Sequence, residues 1–210
     1  MFASDSRLLV IFSKNPVAGE VKTRLAISVG NEKALEIYEA LRGITARIVS
    51  GVQSKRVVFY SDFIPKSDLL LTPGTDAKLQ QGRELGERMH NAICEGLSSG
   101  ARHVVLIGTD CPDISGAVIE KAFSLLESND AVLGPAKDGG FYLIGLKKPS
   151  PEVFLERTWS TGTVLDETIR RFEATGAAIG ILPELRDIDT LEDLQQSRLQ
   201  IEGTTPDLPG

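Results

Sequence analysis

The sequence predicts an α/β protein in which one sheet carries helices on both faces. Short apolar runs rich in β-branched residues recur along the chain, and segments with helical spacing of apolar residues separate them. The chain has 210 residues, a length that suits a single domain. We expect that domain over residues 1–203, followed by a flexible tail over 204–210.

The apolar runs predict six strands, over residues 8–12, 56–60, 104–108, 131–133, 141–144 and 178–182. Helical spacing predicts five helices, over residues 31–49, 84–97, 115–126, 163–175 and 191–199. Asn31 is expected to be the N-cap of the first of these helices, because its side-chain oxygen can accept from a free helix amide. The stretch between residues 61 and 82 has no regular pattern.

Composition excludes several classes of protein. A net charge of −6 and a pI of about 5.1 argue against a broad nucleic-acid surface, although a small basic pocket for a diphosphate is still possible. The start of the chain lacks a signal-peptide pattern, and no apolar run is long enough to insert into a membrane, so we expect a cytoplasmic protein. Two cysteines are too few for a disulfide framework or a zinc site. The oligomeric state is left open.

Three loops are the candidate ligand-binding segments. In open α/β sheets, ligands bind outside the carboxyl ends of the strands. Three loops carry the marked polar or glycine-rich motifs near predicted strand ends: 13–24, 108–113 and 136–140.

The first loop carries cations in an otherwise acidic protein. Lys14, Lys22 and Arg24 follow a strand and precede a helix, an arrangement that can bind an anion. The Lys-Thr pair resembles the end of a P-loop, but Val21 stands where a P-loop needs glycine, which excludes an ATPase of that type. Alternatively, the cations of a surface loop only interact with solvent.

The second loop places a carboxylate at the end of a strand. Asp110 is suited to a divalent cation, because magnesium takes one or two protein carboxylates together with substrate phosphates. Asp113 can bind metal too, but capping of the next helix is the favoured interpretation. Cys111 is expected to be a packing residue, because His90 and His103 lie outside the ligand loops and no Cys-His pair is expected.

The third loop, with a double glycine after Asp138, allows close approach to a ligand. Asp138 can accept a hydrogen bond from an acceptor hydroxyl or serve as a general base. Alternatively, Asp-Gly forms a simple β-turn, and Phe141 belongs to the core rather than to a ligand-stacking surface.

Two further segments offer candidate site residues. Asp187 and Asp189 point the same way in an extended chain and can supply a second metal carboxylate. Capping of the last helix by Asp189 or Thr190 is the alternative. Trp159, in the segment WSTG, is either an acceptor-side wall or a packing residue.

Five motifs occur in this order: FSKNPVAGEVKTRL, QGRELGERM, LIGTDCPD, GPAKDGGFYLIGL and RDIDTLEDL. Over about residues 8–194 the chain resembles a bacterial and archaeal family of glycosyltransferase-like proteins, long carried as a domain of unknown function. That family is related to the glycosyltransferase-A superfamily of nucleotide-diphospho-sugar transferases. The chain is also similar to phospholactate and molybdenum-cofactor guanylyltransferases.

The resemblance implies a three-layer α/β/α fold with a mixed, mainly parallel sheet and one antiparallel strand. It implies Mg²⁺ or Mn²⁺ at Asp110, with Asp189, or Asp187, approaching from the carboxyl-terminal side. The residues implied to contact the nucleotide are Lys14, Gly19, Lys22, Arg24, Gly82 and Asp110. Those implied to contact the acceptor are Asp138, Gly139, Gly140, Phe141 and Trp159.

We therefore predict metal-assisted transfer of a sugar from a nucleotide-diphospho-sugar to a small-molecule acceptor, with Asp110 and Asp138 as the catalytic residues. The nearest alternative is nucleotidyl transfer from a triphosphate to a phosphorylated small molecule. A third hypothesis is a non-catalytic nucleotide-binding module, since one fold supports many functions.

Overall fold

The computed structural model describes residues 6–155, 158–159, 162–197 and 199, and contains seven strands and seven helices within them. The strands are β1 (Arg7–Ser13), β2 (Lys55–Tyr60), β3 (Thr75–Leu79), β4 (His103–Ile107), β5 (Ala131–Pro135), β6 (Phe141–Leu146) and β7 (Ile179–Ile181). The helices are α1 (Thr23–Val29), α2 (Asn31–Ser50), α3 (Leu85–Ser98), α4 (Gly116–Leu125), α5 (Pro151–Phe154), α6 (Val164–Ala174) and α7 (Leu191–Gln195).

All seven strands form one sheet, in the order β3-β2-β1-β4-β6-β5-β7. Strand β6 is antiparallel to β4 and β5, and every other neighbouring pair is parallel. The prediction of a mixed, mainly parallel sheet with one antiparallel strand is therefore confirmed.

Both faces of the sheet are covered by helices. Alternate strand residues point to opposite faces. On one face Leu9 belongs to a buried cluster with Phe123 of α4, and on the other Val10 belongs to a cluster with Ile93 of α3 and Phe172 of α6. This arrangement is the predicted α/β/α layering, and it leaves the strand ends as the places where loops can build a site.

Three local predictions were wrong. Strand β3 was not predicted, because it is an edge strand whose residues alternate between exposed and partly exposed, so it lacks an apolar run. Asn31 is the first residue of α2 and not its N-cap, since Gly30 at φ +84° takes that position. Helix α7 ends at Gln195, short of the predicted 199.

The short helices α1 and α5 were also missed. The predicted tail over 204–210, together with residues 160 and 161 of the WSTG segment, lies outside the described residues. Across the part of the chain that is described, none of the helices combines the length and the apolar character that crossing a bilayer requires.

Candidate active site

Loops from several strands meet at one edge of the sheet. Six of the seven strands, all except β6, run in one direction, so their carboxyl ends share this edge, and β6 begins there. Three cavities of about 300, 220 and 170 Å³ lie along it. All three predicted loops contribute to their walls, so the structure brings these loops together as the sequence analysis expected.

We name the cavities by their lining or position. The central cavity is lined by Lys14, Phe141 and Asp187, among others. The tryptophan cavity is lined by Trp159, Phe141 and Asp138, and the lysine cavity by Lys14 and Lys22, among others. The central cavity shares Phe141 with the tryptophan cavity and Lys14 with the lysine cavity, so the three form one continuous groove.

An ion triad lies at the lysine cavity. The Lys22 Nζ atom is 2.6 Å from Asp110 Oδ1 and 2.9 Å from Asp189 Oδ1. The side chain of Lys22 is only 4% exposed. Burial acts to lower the pKa of Lys22, but the charges of Asp110 and Asp189 outweigh burial and raise that pKa above its ordinary value. Lys22 therefore carries its charge between two carboxylates that were both predicted to bind metal.

Asp187 lies beside this triad without a partner of its own. Its Oδ1 atom is buried and has no hydrogen-bond partner within the described residues. Burial raises the pKa of Asp187 to about 7, and the nearby charges of Asp110, Asp138 and Asp189 act in the same direction, whereas Lys22 opposes them. An orphaned carboxylate among like charges is an environment that a bound cation would stabilise.

Backbone hydrogen bonds hold the carboxyl-terminal acids against the sheet. The amide of Ile188 donates to the carbonyl of Asp110 at 3.0 Å, and the amide of Leu185 donates to the carbonyl of Pro135 at 3.0 Å. Thr190 is the N-cap of α7 in a capping box with Asp193, so Thr190 and not Asp189 takes the capping role. Asp189 is thus available to Lys22.

The hydroxyl of Tyr38 links the first loop to the second loop, residues 108–113, which we call the acid turn. The backbone amide of Lys14 donates to Tyr38 Oη at 2.9 Å, and Thr109 Oγ1 donates to it at 3.3 Å. Below it, the fully buried Arg42 donates to Ser13 Oγ at 3.2 Å. Tyr38 and Arg42 could not be predicted as supports of the site, because apolar spacing places Tyr38 on the core face of its helix and gives no signal for Arg42.

The acid turn corrects one prediction and confirms another. Asp113 is exposed and does not cap α4; Ser115 does, accepting from the amide of Val118. Cys111 is 6% exposed within the core, and burial raises the pKa of its thiol to about 12. Cys111 thus packs in the core as expected, and it also lines the central cavity.

The third loop, residues 136–140, which we call the glycine turn, packs tightly against Gly162, and Phe141 beside it packs against Trp159. The amide of Gly139 donates to the carbonyl of Ala136 at 3.0 Å, which closes the predicted β-turn, and Asp138 Oδ1 accepts from the amide of Gly140 at 2.8 Å. Gly139 has φ +86°, and a Cβ atom there would lie 2.0 Å from the carbonyl oxygen of Gly162. The ring of Trp159 meets Phe141 edge-on at 6.2 Å, so Trp159 both packs and lines the cavity.

Of the remaining residues predicted to contact the nucleotide, two do not line the groove and one does. Gly19 and Gly82 do not line any of the three cavities, so their nucleotide contacts stay predictions. The side chain of Arg88 donates to the carbonyl of Gly82 at 3.1 Å and supports this loop. Arg24 lines both the lysine and tryptophan cavities.

Within the described residues, no group of three or more His, Cys, Asp or Glu side chains is arranged to hold a metal ion. Lys22 fills the space between the predicted pair Asp110 and Asp189. The carboxylates Asp110 and Asp187 still fit a magnesium-type ion that takes one or two protein carboxylates and completes its shell with phosphates and water.

The fold is that of the nucleotide-diphospho-sugar transferase superfamily. A protein from Desulfovibrio desulfuricans G20, provisionally described as a nucleotide-diphospho-sugar transferase, has 33% sequence identity and a TM-score of 0.84, over 90% of this chain and 84% of that one. The family model described as "Uncharacterized protein conserved in bacteria (DUF2064)" matches residues 45–161. The chain belongs to this DUF2064 family.

More distant structures share the fold. A CMP:2-keto-3-deoxy-manno-octonic acid synthetase in complex with CTP has 12% identity and a TM-score of 0.57, over 91% of this chain and 96% of that one. Rv0371c from Mycobacterium tuberculosis H37Rv, in complex with manganese, has 12% identity and a TM-score of 0.56, over 91% of this chain and 96% of that one. No protein of curated function matches the chain significantly.

Proposed function

We propose that this protein is a metal-dependent glycosyltransferase that moves a sugar from a nucleotide-diphospho-sugar to a small-molecule acceptor. The change in the balance of charge along the groove carries the proposal. In the lysine cavity the cations outnumber the carboxylates, with Lys14, Lys22 and Arg24 against Asp110 and Asp189. In the tryptophan cavity the carboxylates outnumber the cations, with Asp138, Asp187 and Asp189 against Arg24 beside two aromatic rings.

The lysine cavity suits the diphosphate of the donor. Lys14 and Arg24 have exposed side chains there, and Arg24 can bind phosphate oxygens through its forked guanidinium. The provisional description of the Desulfovibrio protein and the CTP bound to the synthetase support a nucleotide as the ligand.

Asp110 and Asp187 are the carboxylates we assign to a divalent cation, Mg²⁺ or Mn²⁺. The buried, unpartnered Oδ1 atom of Asp187 supports it over Asp189, which is engaged by Lys22. The manganese complex of Rv0371c is consistent with such an ion. When bound, the cation neutralises the charge that develops on the departing nucleoside diphosphate.

The tryptophan cavity suits the acceptor. Trp159 and Phe141 offer an apolar wall for one face of a small molecule, and Asp138 can accept a hydrogen bond from its hydroxyl. Such a bond orients the hydroxyl for attack and gives its proton a place to go. Asp138 is fixed for this role by its bond to the amide of Gly140.

Nucleotidyl transfer to a phosphorylated acceptor is the second candidate, favoured by the shared fold with the CTP-binding synthetase. It would place an acceptor phosphate near Asp138, the carboxylate of the tryptophan cavity that we assign neither to the cation nor to Lys22. Two like charges 4 Å apart repel by about 4 kcal/mol at an effective dielectric constant of about 20. This repulsion favours an acceptor without a phosphate, and hence glycosyl transfer.

The test is thermal denaturation with UDP- and GDP-sugars in the presence of Mg²⁺ or Mn²⁺. We expect a donor to raise the melting temperature of the wild type and not that of Asp110→Asn. Asp113→Asn is the matched control, because Asp113 belongs to the same turn but is exposed and does not line the groove.

The product then separates the candidates. Release of a nucleoside diphosphate supports glycosyl transfer, and release of pyrophosphate from a triphosphate supports nucleotidyl transfer. Binding without turnover across a broad acceptor set indicates a non-catalytic module. If no nucleotide changes the melting temperature and Asp110→Asn behaves like wild type, the proposal is wrong.

A further inference from the structure

The ammonium group of Lys22 occupies a cation position at the candidate site. It lies within 3 Å of one oxygen of Asp110 and one of Asp189, on a side chain that is almost fully buried. Among the described residues, Lys22 is the only non-glycine residue with a positive φ, at +48°. Residues held in the left-handed region are strained, and such strain is concentrated at functional sites.

We propose that Lys22 is a gating cation that makes the site take up metal and nucleotide together and reject free divalent metal. In the ligand-free protein its ammonium stays between Asp110 and Asp189. When a metal–diphosphate complex arrives, the ammonium exchanges these carboxylates for phosphate oxygens. This inference rests on the proposed function, because it assumes a cation at Asp110 and a diphosphate in the lysine cavity.

Charge explains why free metal is rejected. A divalent ion at Asp110 would lie a few ångströms from the ammonium of Lys22, in a partly buried setting where repulsion is poorly screened. It would also compete for a carboxylate that Lys22 already neutralises. With no other anion at hand, moving the ammonium away would leave Asp189 unpaired.

The lysine cavity provides the alternative position. Lys22 itself lines this cavity, together with Lys14 and Arg24, so a diphosphate bound there lies next to the Lys22 side chain. The flexible stem of a lysine can redirect its charge without moving the backbone. The backbone on either side is held in place, since Val21 is 1% exposed and Leu25 is fully buried. The exchange of partners therefore needs only rotations of one side chain.

A purely structural ion triad is the competing explanation, and it differs in what it predicts. A structural triad affects the stability of the fold but not the relative affinity for free and diphosphate-bound metal. The gate affects that ratio directly. The measurement must therefore be of binding, with metal alone and with metal plus a diphosphate.

We would titrate Mn²⁺ alone, and a preformed Mn²⁺–pyrophosphate complex, into the full-length protein by calorimetry. For the wild type we expect the complex to bind at least tenfold more tightly than Mn²⁺ alone. In Lys22→Met we expect Mn²⁺ alone to bind at least tenfold more tightly than it binds the wild type, and the preference for the complex to fall at least tenfold.

Two further variants serve as a control and as a substitute in case Lys22→Met does not fold. Lys14→Met is the matched control, because Lys14 lines the same cavity with an exposed side chain; it should weaken the complex and leave binding of Mn²⁺ alone unchanged. Should Lys22→Met fail to fold because Asp110 and Asp189 repel each other, Lys22→Met with Asp189→Asn removes that repulsion. It is compared with Asp189→Asn and should show the same gain for Mn²⁺ alone.

The outcomes distinguish this inference from the proposed function. If loss of Lys22 leaves the affinity for Mn²⁺ alone unchanged, while Asp110→Asn abolishes binding, the gate is refuted and the metal site stands. If neither Mn²⁺ nor its pyrophosphate complex binds the wild type or any Lys22 variant, the proposed function itself fails. A tenfold gain for Mn²⁺ alone that Lys14→Met does not reproduce supports the gate.

Discussion

The turn between β5 and β6 passes over Gly162 with no room for a side chain at Gly139. A Cβ atom at Gly139 would lie 2.0 Å from the carbonyl oxygen of Gly162. The substituted residue would also have to adopt φ +86°. The left-handed conformation costs a non-glycine residue about 1–2 kcal/mol. Overpacking of a rigid backbone contact costs a further amount of about 1–3 kcal/mol. We therefore expect Gly139→Ala to lower the free energy of unfolding by about 2–5 kcal/mol.

Gly176 offers a matched control for this substitution. It has φ +72°, and a Cβ atom there would meet nothing within 4 Å. Gly176→Ala should therefore show only the conformational cost of about 1–2 kcal/mol. Urea denaturation followed by circular dichroism measures both variants. If the two lose the same stability, the packing of the Gly139 turn against Gly162 does not constrain this loop, and the reasoning is refuted.

Two further predictions concern buried charges. Burial raises the folded-state pKa of Asp187 to about 7, above the ordinary value of about 3.9 for Asp, so its contribution to stability is complete below about pH 4 and is lost as the pH rises through 7. In EDTA, Asp187→Asn should therefore match the wild type in stability near pH 4 and be more stable than the wild type at pH 8. The gain at pH 8 is at most about 4 kcal/mol, at about 1.36 kcal/mol per unit of pKa shift. Urea denaturation at both pH values checks this, and a difference independent of pH would contradict it. Arg42→Met should lower the free energy of unfolding by about 3–5 kcal/mol, because it leaves the buried Asp68 without its ion-pair partner. Lys78→Met, which breaks a pair with Glu95 whose side chains are 44% and 46% exposed, should cost less than about 1 kcal/mol in the same assay, and equal losses would refute the distinction.

The strands that form the centre of the sheet could be predicted because burial on both faces leaves a direct mark on the sequence. Strands β1 and β4 are continuous apolar runs, and the structure has them within one residue of the predicted ends. Strand β3 pairs with β2 alone and has an open edge. Its residues, TDAKL, need not be apolar, so hydrophobic patterning could not find it.

The loops of the site could be predicted, but their side-chain partners could not. The strand-end rule brought the first loop, the acid turn and the glycine turn together. It could not show that Lys22 lies between Asp110 and Asp189, because that depends on one lysine rotamer and on residues far apart in the chain. The cap of α4 failed for a similar reason: Asp113 and Ser115 are both good capping residues, and only the length of the turn selects Ser115.

Arg42 and Asp187 are both buried, but they have opposite relations to their surroundings. Arg42 has two carboxylates, Glu39 and Asp68, and the hydroxyl of Ser13 as partners, so its charge is satisfied by the fold itself. Asp187 has a buried oxygen with no such partner within the described residues, and its closest charged neighbours are mostly acids. Burying an unpaired carboxylate lowers stability, so a fold shaped only for stability would have paired or replaced it. The cost is understandable if a ligand supplies the missing positive charge, and Asp187 lies where the cations of the lysine cavity meet the acids of the tryptophan cavity.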